Sequence, residues 1–159
     1  KKGLYVFGPS FRKGLLSLET TAAMLVQPSY ISREYALHFY HLFPERVERV
    51  TSMTTRKKKH FDTPIGTFDY YSLSKEKFGI GVESKEIPHE GGYLFASKEK
   101  ALADWIASVP LIANKEAFHF FLYEESRIDW DALFPLNHSL IEAIAKVYKN
   151  KNVDLLLNL

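Results

Sequence analysis

A β-rich segment interrupted by a run of cations decides the fold. It reads Val50-Thr51-Ser52-Met53-Thr54-Thr55-Arg56-Lys57-Lys58-Lys59-His60-Phe61-Asp62-Thr63-Pro64-Ile65-Gly66-Thr67-Phe68. The β-branched residues of positions 47–57 predict one strand, and positions 67–73 predict a second. Positions 62–66 have the composition of a turn. The segment therefore predicts a hairpin with a basic run near its tip.

Four consecutive cations occupy the end of the first predicted strand: Arg56, Lys57, Lys58 and Lys59. Their charges repel one another, so they must be solvated or matched by an anion, and nucleic-acid phosphate is the commonest large anion in a cell. A second interpretation is that they keep the edge of a sheet from pairing with another chain. We take all four as candidate nucleic-acid-binding residues that contact phosphate, which positions a protein without reading base sequence.

The rest of the chain contains further predicted strands and helices. Positions 78–87 and 93–96 predict two more strands, and short connections between successive strands favour antiparallel pairing. Serine caps are expected at Ser17, Ser32 and Ser97, with Glu99 in a favourable first turn and Asp104 on a polar helix face. Helices are predicted over residues 18–26 and 33–43, from the Ser97 cap to Pro110, and over residues 116–123 and 139–149, with the apolar segment 153–159 docked on the body. The fold class is therefore α+β, a mostly antiparallel sheet of about four strands with flanking helices.

Composition limits the classes of function. The chain has 159 residues, 46% of them hydrophobic and 14% aromatic, which fits one packed domain. The absence of cysteine excludes disulfides, thiolate catalysis and cysteine-based zinc sites. A net charge of +2 means that affinity for an acidic partner must come from a local patch. No membrane span or signal peptide is visible, so we expect a soluble, cytoplasmic protein.

Two patterns on the first helices have competing interpretations. The helices at 18–26 and 33–43 have the dimensions of a helix-turn-helix, but an αα-hairpin packed against the sheet is the preferred reading. Glu34, His38 and His41 lie on one helical face and are able to bind metal. No second cluster of ligands stands nearby, so a solvent-facing polar stripe is preferred. We expect no metal and no cofactor.

A third pattern matches the order of residues in restriction-like nucleases. Asp69 precedes Glu83 and Lys85, and in those enzymes two acids on adjacent strands hold Mg²⁺ while a lysine polarises the attacking water. Glu-x-Lys is also frequent on the polar faces of strands. A Mg²⁺-dependent nuclease is therefore the alternative to a protein that is not an enzyme.

The 50–68 segment, together with three other segments, resembles the AbiEi-family antitoxins, transcription-regulating proteins of type IV toxin–antitoxin and phage-defence (abortive infection) operons. The resemblance extends from about Lys2 to Ile106. In one segment Lys98 stands where the family usually has proline, which a helix start tolerates. The other three segments are Lys2-Gly3-Leu4-Tyr5-Val6-Phe7-Gly8-Pro9, Gln27-Pro28-Ser29-Tyr30-Ile31-Ser32 and Ala96-Ser97-Lys98-Glu99-Lys100-Ala101-Leu102-Ala103-Asp104.

The resemblance implies an organisation and a function. Residues 1–9 look like the wing strand that closes an N-terminal winged helix-turn-helix, and residues 10–159 like the antitoxin domain. The protein would be a DNA-binding repressor of its own operon. It would counter a nucleotidyltransferase toxin without forming a stable complex with it. A direct protein-interaction module that binds the toxin remains a further alternative. The base-reading helix would precede Lys1, so this chain alone should bind DNA weakly and with strong salt dependence.

Overall fold

The computed structural model describes residues 17–87 and 91–159, and these form an α+β fold. The predicted wing strand at residues 2–7 lies outside that part of the chain. The elements are α1 (Leu18–Leu25), β1 (Ser29–Ile31), α2 (Arg33–Phe39), β2 (Arg49–Thr54), β3 (Lys59–Thr63), β4 (Gly66–Ser72), α3 (Lys75–Phe78), β5 (Val82–Ile87), β6 (Gly91–Ala96), α4 (Lys98–Ile106), α5 (Lys115–Phe120), a π-helical turn (Phe121–Glu125), α6 (Trp130–Leu133), α7 (His138–Tyr148), α8 (Lys151–Asp154) and a 3₁₀ turn (Leu155–Asn158).

Within the described residues the sheet has six strands in the order β3-β4-β2-β1-β6-β5, and it is mixed. Three neighbouring pairs are antiparallel: β3 with β4, β1 with β2, and β5 with β6. The other two, β2 with β4 and β1 with β6, are parallel. The predicted α+β class is confirmed, whereas the sheet has six strands in place of about four, and two of its five neighbouring pairs are parallel.

The predicted hairpin over positions 50–68 is the main source of that difference. Residues 59–63 form strand β3, which pairs antiparallel with β4 through a tight connection ending at Gly66. The chain thus reverses direction twice between β2 and β4, and these two strands run parallel. Positions 78–81, predicted as strand, end helix α3 and form a turn.

The connection between the first two helices is itself a strand. Residues 29–31 form β1, which lies between β2 and β6 in the sheet. Because a sheet strand separates α1 from α2, the pair is neither a helix-turn-helix nor an αα-hairpin. Helix α1 packs on β1, β2 and β6, whereas α2 packs on α4 and β2.

The core lies on both faces of the sheet, because directly paired residues of neighbouring strands share a face. Ile31, Phe95 and Tyr70 lie on the face that α1 covers, since Tyr70 donates a hydrogen bond to the carbonyl of Ala22 at 2.6 Å. We call this the α1 face. Tyr30 lies on the opposite face, which we call the α4 face because its hydroxyl contacts α4.

The C-terminal third packs as its periodicity predicts. The α7 stripe is buried, and the segment after residue 153 docks on the body, as expected. No helix among the residues described has both the length and the apolar character needed to cross a bilayer. The buried residues of this third that carry the prediction are Ile141, Ile144, Ala145, Tyr148, Val153 and Leu156.

Candidate nucleic-acid interface and a buried polar network

The basic run lies at one end of the sheet and is exposed to solvent. Arg56, Lys57 and Lys58 form the loop between β2 and β3, and Lys59 is the first residue of β3. All four side chains are exposed. The side chains of Lys57 and Lys59 make no hydrogen bond or ion pair with residues of 17–87 or 91–159. The run is therefore available to an external anion.

Hydrogen bonds fix the backbone of this loop. The Arg56 amide donates to Thr54 Oγ1 at 3.2 Å, and the Ser72 hydroxyl donates to the Arg56 carbonyl at 2.6 Å. The Thr54 hydroxyl in turn donates to the Pro28 carbonyl at 2.6 Å. The Arg56 Nε also donates to the carbonyl of Gln27. The loop is held by β4 and by the entry to β1, so its cations project from a defined frame.

Two of the four cations, Lys58 and Lys59, lie on opposite faces of the sheet. Lys58 Nζ lies 5.3 Å from the centre of the Tyr71 ring, and the Arg33 guanidinium stacks on the same ring at 3.7 Å. Lys59 pairs with Tyr70, the residue before Tyr71 on β4, and the Lys59 side chain therefore lies on the α1 face. Lys58 therefore follows the α4 face and Lys59 the α1 face, and the run spreads its charge around the end of the sheet.

A polar cluster of Asp69, Arg49 and His60 lies next to the basic run on the α4 face. One oxygen of the buried Asp69 carboxylate accepts a hydrogen bond from Arg49 Nη1 at 3.2 Å. The other oxygen lies 2.7 Å from His60 Nδ1. His60 and Asp69 are directly paired across β3 and β4, so the contact is the cross-strand type that stabilises a sheet. Asp69 is thus paired with Arg49 and His60, neither of which belongs to the run.

The structure does not bring together the three residues of the nuclease pattern. Asp69 is on β4 and Glu83 is on β5, four strand positions away, which corresponds to about 19 Å at ordinary strand spacing. Glu83 also pairs with Phe95 and so lies on the α1 face, opposite to Asp69. Lys85 Nζ sits 3.9 Å and 4.2 Å from the ring centres of Phe39 and Phe95, and burial there lowers its pKa.

The histidine and glutamate stripe is also divided. Helix α2 ends at Phe39, and His41 has a positive φ of 61°, so its side chain leaves the helical face. Glu34 pairs with Arg33 at 3.0 Å. Within 17–87 and 91–159, no group of three or more His, Cys, Asp or Glu side chains is arranged to hold a metal ion. The predicted solvent-facing polar stripe therefore extends only over the residues before Tyr40, and His41 is not part of it.

A fully buried polar network, which the sequence reading missed, centres on Asp104. One of its carboxylate oxygens accepts hydrogen bonds from the Tyr30 hydroxyl at 2.9 Å and the Ser32 hydroxyl at 2.7 Å. The other accepts from the Tyr148 hydroxyl and lies 3.4 Å from Lys100 Nζ. Lys100 also donates to Tyr148 and, at 2.7 Å, to the carbonyl of Lys77. Asp104 is therefore not the polar-face residue that its helix position suggested.

Burial shifts the ionisation of the groups in this network. It lowers the pKa of Lys100, against the opposing attraction of Asp104. It raises the pKa of Tyr30 and of Tyr148, and the nearby Asp104 charge raises both further. The network holds its carboxylate with four donors, which is the condition for burying a charge without a large penalty. Its role is to join β1, α4 and α7.

The same network explains why one expected helix cap is absent. Ser97 caps α4 by accepting from the Lys100 amide at 3.2 Å, and Ser17 caps α1 by accepting from the Thr20 amide at 3.1 Å, both as predicted. Ser32 makes no cap to α2: its hydroxyl donates to Asp104, and the amide of Tyr35 in the first turn of α2 donates instead to Thr51 Oγ1 at 3.0 Å. The signal that could have revealed the network is the i, i+4 spacing of a lysine and an aspartate on a helix with many apolar neighbours.

Comparison with models of known protein families finds no match to this chain. Comparison with curated proteins finds no significantly similar sequence.

Proposed function

We propose that this chain is the antitoxin domain of a DNA-binding autorepressor, as its resemblance to the AbiEi family implies. In this proposal it acts without a cofactor and is not an enzyme. It counters a nucleotidyltransferase toxin encoded in the same operon without forming a stable complex. The observation that carries the DNA-binding part is the exposed run Arg56–Lys59 on a loop of fixed backbone.

The fixed backbone favours binding to a phosphate backbone. A loop whose conformation is already set loses less conformational entropy when it binds than a mobile one does. Lys58 and Lys59 lie on opposite faces of the sheet end, so the run can reach more than one phosphate. Such contacts supply affinity that depends on salt but carries no base sequence information. In this proposal the loop is therefore an auxiliary clamp, and the base reading belongs to another part of the repressor.

The buried network joins two of the segments on which the resemblance rests. These segments, residues 27–32 and 96–104, meet at Asp104 through Tyr30, Ser32 and Lys100. Residues that build one network are expected to occur together in proteins of one fold. Function is a separate matter, because a shared fold does not by itself carry a shared activity.

The first test measures salt-dependent binding to a duplex of arbitrary sequence. Replacing Arg56, Lys57, Lys58 and Lys59 with glutamine should weaken binding at low salt. The slope of log K against log salt should fall by about 0.9 for each phosphate contact that is lost. Fluorescence anisotropy over a salt series measures both quantities. Unchanged affinity and slope would remove the loop from the interface.

A matched control removes four exposed lysines from the C-terminal half: Lys115, Lys146, Lys149 and Lys151. It carries the same change in net charge, so it separates a local clamp from a general effect of charge. The slope of this control should stay near that of the parent. The antitoxin part is tested by growth rescue on co-expression with the nucleotidyltransferase encoded beside the gene. Failure of rescue with intact DNA binding would leave a repressor only.

A further inference from the structure

An apolar groove opens in the C-terminal half, remote in sequence from the basic run. It lies between the loop that follows α4 and the α5 helix with its π-helical turn, and it encloses about 480 Å³. Ile112 and Phe121 are half-buried in its lining, while Leu111 is 69% exposed and Phe120 57% exposed. Large apolar side chains grouped in one concave surface mark a site of interaction with another molecule.

The exposure of Leu111 is built into the fold. Asn152 on α8 is only 3% exposed, and its side-chain nitrogen donates to the carbonyls of Val109 and Pro110 at 3.1 Å and 3.0 Å. Its side-chain oxygen accepts from the Ile112 amide at 2.9 Å. These bonds fix the backbone on both sides of Leu111. The leucine therefore points into solvent from a rigid loop.

The opposite wall of the groove is equally fixed. Phe118 and Leu122 are fully buried and anchor the helical segment, which leaves Phe120 facing outward. The Phe121 ring stacks on Trp105, with ring centres 5.3 Å apart and planes inclined by 23°. The π-helical turn begins at Phe121, and such turns recur at functional sites because they change which side chains share a face.

Charge at the rim selects among possible occupants. Glu116 and Glu125 line the groove, and Glu124 is exposed next to Glu125. Carboxylates there repel nucleic acid. They would also face like carboxylates if a second copy met this surface across a two-fold axis. The surface is complementary to a segment that combines apolar anchors with basic residues.

We propose that this groove binds a short amphipathic helix of a partner protein, with leucine-like anchors seated between Leu111 and Phe120 and with lysine or arginine paired to Glu116 and Glu125. Amphipathic helices enter apolar grooves through residues spaced at i, i+3 or i+4, and i+7. The site uses none of the four cations assigned to DNA, so the two surfaces can be occupied together.

Two designed peptides with identical leucine spacing test the proposal, one with lysine and the other with glutamate at every outward position. Isothermal titration calorimetry should show binding of the lysine peptide and much weaker binding of the glutamate peptide. Leu111→Ser with Phe120→Ser should weaken the lysine peptide at least tenfold. Glu116→Lys with Glu125→Lys should reverse the preference between the peptides.

Met24→Ser is the matched control, because Met24 is 55% exposed on α1 and lies outside the groove. It should leave peptide binding unchanged. Equal affinity for both peptides, or lysine-peptide binding that survives the Leu111→Ser and Phe120→Ser changes, would overturn the proposal. Self-association that the same double variant abolishes in sedimentation would also overturn it, in favour of a second copy as the occupant.

Discussion

At the scale of single residues, Asp104 joins three parts of the fold. Its carboxylate is contacted from β1 by Tyr30, from α7 by Tyr148 and from its own helix by Lys100. Sequence reading placed Asp104 on a helix but could not see its burial, because its donors lie 44 and 74 residues away along the chain. Neighbouring residues in the sequence are enough to predict that a residue lies on a helix. Which distant residues contact it depends on the topology of the fold.

Asp104→Asn should destabilise the protein by about 3–5 kcal/mol, since it leaves Lys100 as a buried cation without its counter-charge. Urea denaturation followed by circular dichroism measures the free energy of unfolding. Asp154→Asn, at an exposed site, should change it by no more than about 0.5 kcal/mol.

A double variant separates charge from packing in the same network. Adding Lys100→Met to Asp104→Asn removes the unpaired cation, so the double variant should be more stable than Asp104→Asn alone. If the two substitutions instead add their costs, the ion pair is not what holds this part of the core.

At the scale of elements, the sequence identified long periodic segments and missed short ones. Helices α4 and α7 and strands β2 and β4 were predicted because each presents a sustained apolar or β-branched pattern. Strand β1 has only three residues between a proline and a serine, and β3 begins with Lys59 and His60, so neither offers a readable alternation. Because the sequence did not reveal β3, strands β2 and β4 were predicted to pair as an antiparallel hairpin, whereas they are parallel.

Gly81 fixes the approach of the chain to α4 and provides a test at this scale. Its φ is +68°, its carbonyl accepts from the Ser97 amide at 2.8 Å, and an added Cβ would lie 3.0 Å from Lys100 Cβ. Gly81→Ala should cost about 2 kcal/mol, through left-handed backbone strain and crowding at the α4 N-terminus.

Gly79→Ala is the comparison for Gly81→Ala. Gly79 has an ordinary φ of −86°, and an added Cβ would meet nothing within 4 Å. Its stability should stay within about 0.5 kcal/mol of the parent or rise slightly. Similar thermal midpoints for the two variants would contradict the strain argument.

At the scale of the whole molecule, the sequence predicted the class of fold and the exposed cations but not their arrangement. The α+β class follows from the mixture of periodicities, and Arg56–Lys59 are exposed because charge runs resist burial. Strand order, the separation of Asp69 from Glu83 and the groove at Leu111 depend on contacts between distant segments. No local sequence pattern predicts these three features.

Buried tyrosines should make the whole molecule sensitive to alkali. Burial raises the pKa of Tyr30, Tyr70 and Tyr148 above the ordinary value of about 10. Between the ordinary and the raised pKa the unfolded chain releases protons that the folded chain keeps, so stability falls as pH rises. The expected slope is about −1.4 kcal/mol per pH unit for each such tyrosine.

Lys100 acts in the opposite direction but in a different range. Its lowered pKa makes stability rise with pH up to its ordinary value of about 10.4, so the alkaline loss is isolated above that pH. Urea denaturation at about pH 10.5 and about pH 11.5 measures the change. Tyr70→Phe should remove the contribution of one tyrosine, about 1.4 kcal/mol per pH unit, from the slope. A free energy of unfolding that does not change with pH across that range would contradict the argument.

The three-residue strand β1 has a consequence for how the molecule assembles. It pairs with β2 over three positions but with β6 only at Ile31 and Phe95, which stand 64 residues apart along the chain. The strands on each side of that junction come from nearby stretches of chain and can pair early. Closing the junction requires the largest loss of chain entropy for the fewest backbone bonds. We therefore expect closure of this junction to be a slow step in folding. Phe95→Ala should then slow refolding in stopped-flow measurements, and an unchanged refolding rate would contradict this expectation.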